Sequence, residues 1–252
     1  EARTPLGILL AGRMGGHWGL GILSNDGRCE GCDSGDIVDR VAFVSGFLSH
    51  LWVFAFDWSV HEDLGVVNRG VNSSMRARTI QHAPTYTFAL LHSKTERSRA
   101  RRRAAGVNTF EHGGFISYRT QDEERIGELS APLDLQLLTF DGWGRVSTSH
   151  FVMEVEVAYL RGQIAQPTIV PGVQLTHPVT LNQVGAAMKS EYGALNGGWG
   201  VGLDAGYASG DDAPGFAAYR GTQRTRPLAG DVGGDQAGRG DYTINHFRFS
   251  PG

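Results

Sequence analysis

The sequence predicts an all-β protein, an antiparallel up-and-down transmembrane β-barrel with about ten strands within residues 1–252. Three observations predict this fold. Apolar and polar side chains alternate along many segments, glycine is the commonest residue at 36 of 252, and short connections alternate with long ones. The mean hydropathy of −0.22, with no uninterrupted apolar run near the ~18 residues of a membrane helix, excludes a helical membrane protein.

The segment 199–207 shows the alternation most clearly. Its odd-numbered residues are apolar, its even-numbered residues are glycine or aspartate, and the aromatic Trp199 and Tyr207 stand at its two ends. Successive side chains of a strand point to opposite faces, so one face is apolar and the other nearly bare. In a transmembrane barrel the apolar face meets lipid and the aromatic residues lie at the two interfaces. A tilted strand of about nine to eleven residues crosses a bilayer.

The first half of the chain carries five further candidate strands. Segment 51–60 alternates bulky aromatic residues with small or polar ones, and 85–92 places its aromatic and leucine residues on one face. The alternation is weaker at 6–14, 38–45 and 109–119. Half-buried strands are expected at all five positions.

The second half carries the remaining candidates. Segments 133–140, 151–159 and 180–192 alternate well, 242–249 less well, and 121–129 could be a short helix or a loop. No segment has a convincing helical period. The side chains expected to face lipid are Trp52, Phe54, Phe56, Trp58, Phe151, Met153, Val155, Val157, Tyr159, Trp199, Val201, Leu203 and Tyr207.

The connections alternate in length, as expected for a barrel with short periplasmic turns and long outer loops. Tight turns rich in glycine or asparagine are expected at 45–50, 141–145 and 195–198. Long loops are expected at 24–37, 61–82, 120–131, 162–178 and 209–241. The basic connection 94–107 breaks the rule, since it is long but falls on the short-turn side.

Charged side chains occupy the face opposite the apolar one. In a barrel they would line the lumen: Arg13, Asp57, Glu111, Arg119, Glu154, Glu156, Lys189, Glu191, Asp204, His246 and Arg248. So many charges would be costly in a dry core, whereas beside water they are cheap and tune solute selectivity. The alternative is that opposite charges pair across a closed, plugged lumen.

Three groups of residues resemble a known family. They are Gly12-Arg13-Met14 with His17-Trp18-Gly19-Leu20-Gly21 and Asn25-Asp26-Gly27; Cys29-Glu30-Gly31-Cys32-Asp33 with Asp39-Arg40-Val41-Ala42-Phe43; and Gly206-Tyr207-Ala208-Ser209-Gly210-Asp211-Asp212-Ala213-Pro214-Gly215-Phe216. Together they resemble the uncharacterised outer-membrane β-barrels of myxobacteria and, more distantly, the alginate-export-type porins. The resemblance implies a bacterial outer-membrane location with lipid and lipopolysaccharide as neighbours. It also implies further strands after Asn245-His246-Phe247-Arg248-Phe249, so we expect residues 1–252 to be one barrel region within a longer chain.

The only two cysteines, Cys29 and Cys32, lie in the predicted loop 24–37. In an exported chain a local disulfide is the expected state, while a redox pair or a zinc site with His17 are alternatives. Carboxylates crowd the same loop and the loop 209–241, which offers weak calcium candidates at Asp33, Asp36, Asp211 and Asp212. No other metal and no other cofactor is expected.

These patterns favour a porin-like or channel-like barrel that passes small solutes or an exported polysaccharide through a charged lumen. A non-conducting structural or assembly barrel and a soluble β-sandwich binding module are the alternatives, and the long loops suit a homo-oligomer or a larger envelope complex. The net charge of −3, and the lack of aromatic residues within the basic run 94–103, argue against nucleic acid. No enzyme is expected, since the sequence has no Gly-x-Ser-x-Gly, P-loop or His-Glu-x-x-His motif.

Overall fold

The structure is a computed structural model that describes residues 1–27, 37–61, 80–126, 129–165, 168–170, 173–174, 178–194, 198–210 and 243–249. Its elements, in chain order, are β1 (Ala2–Thr4), β2 (Gly7–Gly15), β3 (Ile37–Phe47), β4 (His50–His61), β5 (Ile80–His92), α1 (Glu96–Ala104), β6 (Thr109–Ile126), β7 (Leu129–Ser147), β8 (Phe151–Ile164), β9 (Thr168–Val170), β10 (Val173–Gln174), β11 (Val179–Gly193), β12 (Gly200–Ala208) and β13 (Thr243–Ile244).

Ten strands form one antiparallel up-and-down sheet in the order β1-β2-β3-β4-β5-β6-β7-β8-β11-β12. Each strand pairs with the next one, apart from the small hairpin β9–β10 that lies between β8 and β11 in the chain. The all-β antiparallel architecture expected from the alternating pattern is therefore confirmed. In the part of the chain that the structure describes, β1 and β12 do not pair with each other, so this sheet is open.

Several local expectations were wrong. Residues 96–104 form α1. In the segment 121–129, where a short helix or a loop was expected, residues 121–126 belong to β6 and residue 129 begins β7. The expected turn at 141–145 lies inside β7, and only two residues of the expected strand 242–249 form a strand, β13, which pairs in parallel with β11. No helix among the described residues has the length and apolarity needed to cross a membrane.

Strand registers divide the side chains of the sheet between two faces. One face, here called the polar face, carries Asp57, Glu111, Asp141, Glu154 and Glu156. The opposite face, here called the aromatic face, carries rows of bulky side chains that continue from strand to strand. Its members include Trp52, Phe54, Phe56, Tyr86, Phe88, Ile116, Tyr118, Phe140, Val157, Tyr159, Tyr192, Val201, Leu203 and Tyr207.

Buried apolar packing is modest and lies on the polar face. Ile22, Ala158 and Phe247 form one buried cluster, and Ile164 with Ile244 form another. In the first cluster Ala158 lies in the middle of β8, whereas Ile22 and Phe247 belong to irregular segments that cross the sheet. The core of the described structure is thus built on one side of the sheet by chain segments laid over it.

The β3–β4 turn holds two non-glycine residues in a backbone conformation that they rarely adopt. Leu48 and Ser49 have φ values of 50° and 63°, the positive values that a two-residue hairpin turn of type I′ requires. Asparagine and glycine adopt this conformation more readily than leucine and serine. We expect the double change Leu48→Asn and Ser49→Gly to stabilise the protein by about 1–2 kcal/mol, measured by urea unfolding. The matched change Thr148→Asn with Ser149→Gly, at a turn where no positive φ is found, should bring no such gain.

Candidate functional site

A row of alternating charges crosses the polar face near the short-turn end of the sheet. The strand registers place Glu111 of β6 opposite Arg145 of β7, Arg145 opposite Glu154 of β8, Glu154 opposite Lys189 of β11, and Lys189 opposite Asp204 of β12. The row therefore reads acid, base, acid, base, acid across five strands. Opposite charges directly across from each other favour this register over its neighbours.

The row passes from buried to exposed as it crosses the sheet. Glu111 is fully buried, Arg145 Nη1 donates to Glu154 Oε1 across 2.8 Å, and Lys189 and Asp204 are exposed. The Glu154 carboxylate also accepts from the Trp143 indole at 3.3 Å. The charges near β12 thus meet solvent, while those near β6 are held by protein partners.

Helix α1 closes over the buried end of this row. Thr95 caps the helix by accepting from the Ser98 amide, and Glu111 accepts from the Lys94 amide at 2.5 Å and from Arg99 Nε at 2.8 Å. Arg103 Nε donates to the Ser149 carbonyl at 3.0 Å, which ties the other end of α1 to the β7–β8 turn. Glu111, expected to line a lumen, therefore anchors a helix.

A second charged pair lies on the polar face, closer to β2. Arg40 donates to both carboxylate oxygens of Asp57, at 2.5 and 2.8 Å, and Asp57 is almost fully buried. Arg119 lies on the same face, next to Thr85, which is the register partner of Asp57. Bidentate pairing of this kind fixes geometry as well as charge.

Residues 16–27, here called the inner segment, leave β2 and lie over the polar face of β6, β7 and β8. Trp18 packs edge-on against Phe115 at 5.3 Å between ring centroids, and its indole donates to Asp141 Oδ1 at 2.7 Å. The amides of Leu20 and Ile22 donate to the fully buried carboxyl of Glu156. Two adjacent strands thereby hold the segment through one carboxyl group each.

Gly19 lets the inner segment approach Glu156 this closely. Its φ of +54° lies in the left-handed region, and a Cβ at this position would stand 2.5 Å from Glu156 Oε2. Side chains of the segment also bond to its own backbone, for example Ser24 Oγ to the Gly16 carbonyl at 3.0 Å. The segment is therefore a folded unit seated on the sheet.

The carboxyl groups of Asp141 and Glu156 each hold the inner segment through one oxygen. Asp141 Oδ1 accepts from the Trp18 indole, and Glu156 Oε2 accepts from the Leu20 amide. The other two oxygens, Asp141 Oδ2 and Glu156 Oε1, are buried and have no hydrogen-bond partner among the described residues. The inner segment is thus seated on two buried carboxyl groups that are only partly satisfied by hydrogen bonds.

The chain near residue 247 covers the next part of the polar face. Phe247 is buried against Ile22 and Ala158, and its ring lies where a Cβ of Gly185 would stand, 2.1 Å from its nearest atom. Ser209 fixes this segment, since the Phe247 amide donates to the Ser209 carbonyl at 2.9 Å. Two separate segments therefore cover the middle of the polar face.

Strand registers place most of the side chains expected in a lumen on the polar face. This group comprises Asp57, Glu111, Arg119, Glu154, Glu156, Lys189, Glu191 and Asp204. Arg13 is not part of this group, because it lies on the aromatic side of β2. Its register partner Asp39 lies on the same side of β3, and the two side chains form an ion pair at 2.9 Å. His246 and Arg248 do not belong to a strand. They lie in the irregular segment after β13, the segment whose Phe247 covers part of the polar face.

The side chains expected to face lipid share the aromatic face where they belong to strands. Ring contacts run across it, with Phe54 and Phe88 at 5.0 Å and Phe56 and Tyr86 at 5.0 Å between centroids. Trp199 lies just before β12 and contacts Tyr192 at 5.7 Å. Large side chains on this face are half exposed, for example Phe54 at 52% and Tyr86 at 57%.

The loop sites expected from the sequence fall outside the described residues. These are the cysteine pair Cys29 and Cys32 and the calcium candidates Asp33, Asp36, Asp211 and Asp212. Within the described ranges, no group of three histidine, cysteine, aspartate or glutamate side chains is placed so that it could hold a metal ion.

Sequence reasoning did not identify the inner segment, Asp141, Arg40 or α1 as parts of this site. A capping signal for α1 was present, since Thr95 and Glu96 precede a run that ends in three arginines. The contacts of Trp18 and Leu20 join residues more than 120 positions apart, and local patterns do not report them.

Comparison with known proteins adds no relative: no family model, no curated protein and no solved structure matches this chain. The resemblance to outer-membrane barrels therefore remains a prediction from the quoted motifs.

Proposed function

We propose that this chain is part of a bacterial outer-membrane β-barrel that passes small solutes along its polar face. The observation that carries the proposal is the division of one long sheet into a face of exposed aromatic and aliphatic side chains and a face of charges. Soluble proteins rarely expose so large a continuous apolar surface. In an outer-membrane barrel that surface contacts lipid, and the polar surface contacts the lumen.

Strand dimensions support the same function. β4, β5 and β8 have 12, 13 and 14 residues. A tilted strand of about 9–11 residues crosses the hydrocarbon layer, so each of these is long enough. Aromatic residues at the short-turn end of the aromatic face, such as Phe47, Phe110 and Trp199, are more than half exposed and suit the lipid headgroup level.

The charged row supports a water-filled path for ions or polar solutes. Lys189, Glu191 and Asp204 are exposed on the polar face, where fixed charges would select among solutes. Closure of a barrel requires the edges of β1 and β12 to pair, either with each other or with further strands. Outer-membrane lipid and lipopolysaccharide would be its neighbours, and small solutes or a polysaccharide its cargo.

A second candidate is a structural or assembly barrel that does not conduct. The inner segment and Phe247 favour it, because they cover the middle of the polar face and bury Ala158 completely. A pore with this arrangement is narrowed or closed unless the inner segment moves.

Conductance of the full chain in planar lipid bilayers tests both candidates. We expect stable current steps whose ion preference changes in the variant Glu154→Gln, because this carboxylate belongs to the charged row. Insertion into the bilayer without any current steps would favour the non-conducting barrel. A chain that stays monomeric and folded in buffer without detergent would contradict both and would favour the soluble sandwich.

A further inference from the structure

Helix α1 carries more positive charge than its contacts with the sheet use. Its nine residues include five arginines and one acidic residue. Arg99 holds the helix to Glu111, and Arg103 holds it to the β7–β8 turn. The side chains of the other three arginines are exposed and form no ion pair with any other described residue. These three, here called the free arginines, are Arg97, Arg101 and Arg102.

The helical period separates the free arginines from the two that anchor the helix. At 3.6 residues per turn, Arg97 and Arg101 lie on the side of α1 opposite Arg99 and Arg103. Arg97 and Arg101 are also four positions apart, a spacing at which like charges destabilise a helix. An anion bound beside the free arginines would remove this repulsion.

A cavity of about 680 Å³ lies between α1 and the β11–β12 hairpin. Arg103 and two alanines of α1 line one side of it, and Tyr192, Trp199 and Val201 line the other. These three residues are 53%, 57% and 67% exposed, and they continue into the aromatic face. Cavities of about 300–1,000 Å³ are typical of sites for small molecules. This one has a cationic side and an apolar side.

One acidic residue, Glu191 of the polar face, also lines the cavity. Glu191 and Arg103 do not form an ion pair with each other, and Glu191 has no other ion-pair partner among the described residues. A bound anion would therefore lie on the α1 side, away from this carboxylate. A ligand with one negative group joined to an apolar tail matches this distribution of charge.

We propose that the cavity binds an anionic phospholipid, with its phosphate at α1 and the beginning of its acyl chains along Tyr192, Trp199 and Val201. Guanidinium groups bind phosphate oxygens in pairs, and clusters of arginine beside a membrane attract anionic lipids. Tryptophan and tyrosine are enriched where head groups meet the acyl layer. The inference rests on the proposed function, in which the short turns face the periplasm. The bound lipid would belong to the leaflet on that side.

The test measures lipid binding by the purified full chain in a nonionic detergent, with native mass spectrometry to count the bound lipids. Phosphatidylglycerol is compared with phosphatidylcholine of the same acyl chains, which carries a phosphate but no net charge. We expect one phosphatidylglycerol per chain, bound about 100-fold more tightly than phosphatidylcholine, at about fivefold for each free arginine. The triple variant Arg97→Gln, Arg101→Gln and Arg102→Gln should bring the two affinities within about fivefold of each other.

Two further variants are the controls. Glutamine and arginine have similar helix propensities, so α1 should persist in the triple variant. Replacing the same three arginines with lysine keeps the charge and should keep the preference for phosphatidylglycerol. Arg161→Gln removes an exposed arginine at the far end of β8, away from the cavity, and should leave both affinities unchanged.

Three results would overturn the proposal. The first is equal affinity for the two lipids in the wild-type chain, and the second is an equal loss of preference in Arg161→Gln and in the triple glutamine variant. The third is displacement of phosphatidylglycerol by an equal concentration of inorganic phosphate, which would make this a site for free phosphate. None of them bears on the barrel, which is contradicted instead if the chain stays folded and monomeric in buffer without detergent.

Discussion

If the aromatic face meets lipid as proposed, replacing Val157 with arginine should destabilise the protein in a bilayer by about 2–4 kcal/mol, the cost of a charge near the bilayer midplane. Val157 lies near the middle of β8 on the aromatic face and is 47% exposed. Its register partners are Gly142 and Ala186, so no acidic side chain stands directly across from it. Urea unfolding in lipid vesicles measures the change.

The control for this prediction is Glu191→Arg on the neighbouring strand β11. Glu191 is also exposed but lies on the polar face, where arginine would meet water, so its cost should stay below about 1 kcal/mol. The difference between the two variants in the loss of unfolding free energy shows which face meets lipid. If Val157→Arg costs no more than about 0.5 kcal/mol, like an ordinary surface substitution, the aromatic face does not meet lipid.

Replacing Glu156 with alanine should release the inner segment from the sheet. The variant leaves the buried amides of Leu20 and Ile22 without their acceptor, and each buried unsatisfied donor costs about 1–3 kcal/mol. The segment can avoid this cost by moving into water. We expect amide hydrogen exchange within 16–27 to accelerate by at least about tenfold, equivalent to 1.4 kcal/mol, and the mean current per inserted protein to rise.

Glu154→Ala is the comparison for that experiment. Glu154 lies two residues away on the same face, but it pairs with Arg145 and has no bond to the inner segment among the described residues. Its removal should change ion preference and leave exchange in 16–27 as it was. Equal acceleration in both variants would show that general loosening of β8, rather than loss of the carboxyl that holds the segment, is responsible.

The alternation of side chains was enough to locate the sheet. Segments such as 51–60 and 151–159 alternate because one face of the strand is apolar, and this requirement is visible in each strand by itself. Their antiparallel neighbours follow from chain order and short turns. Strand position and face could therefore be predicted without knowledge of any long-range contact.

The polar end of β6 was not predicted because it has no apolar face. Residues 121–126 are nearly all polar, so no apolar face marks them as a strand. They pair with β7 beyond a β-bulge between Gln121 and Glu123, and this pairing lengthens the β6–β7 hairpin. Helix α1 was missed for a related reason: none of its residues is buried, so it has no apolar period.

The covering of the polar face could not be predicted from local patterns. Trp18, Gly19 and Leu20 matter because of where Asp141 and Glu156 lie, and these partners are distant in sequence. The sequence pattern alone places Glu156 beside water, whereas the inner segment removes it from water. The candidate site thus depends on contacts that only the folded chain defines.

The unequal lengths of the strands determine how far the protein would stand out from a membrane. β6 and β7 have 18 and 19 residues, and at about 3.4 Å per residue each is roughly 60 Å long. Tilted by about 45°, such a hairpin rises some 40 Å, against an apolar band about 25 Å tall. If the sheet belongs to an outer-membrane barrel as proposed, the far end of this hairpin would project well beyond the apolar band and lie in water.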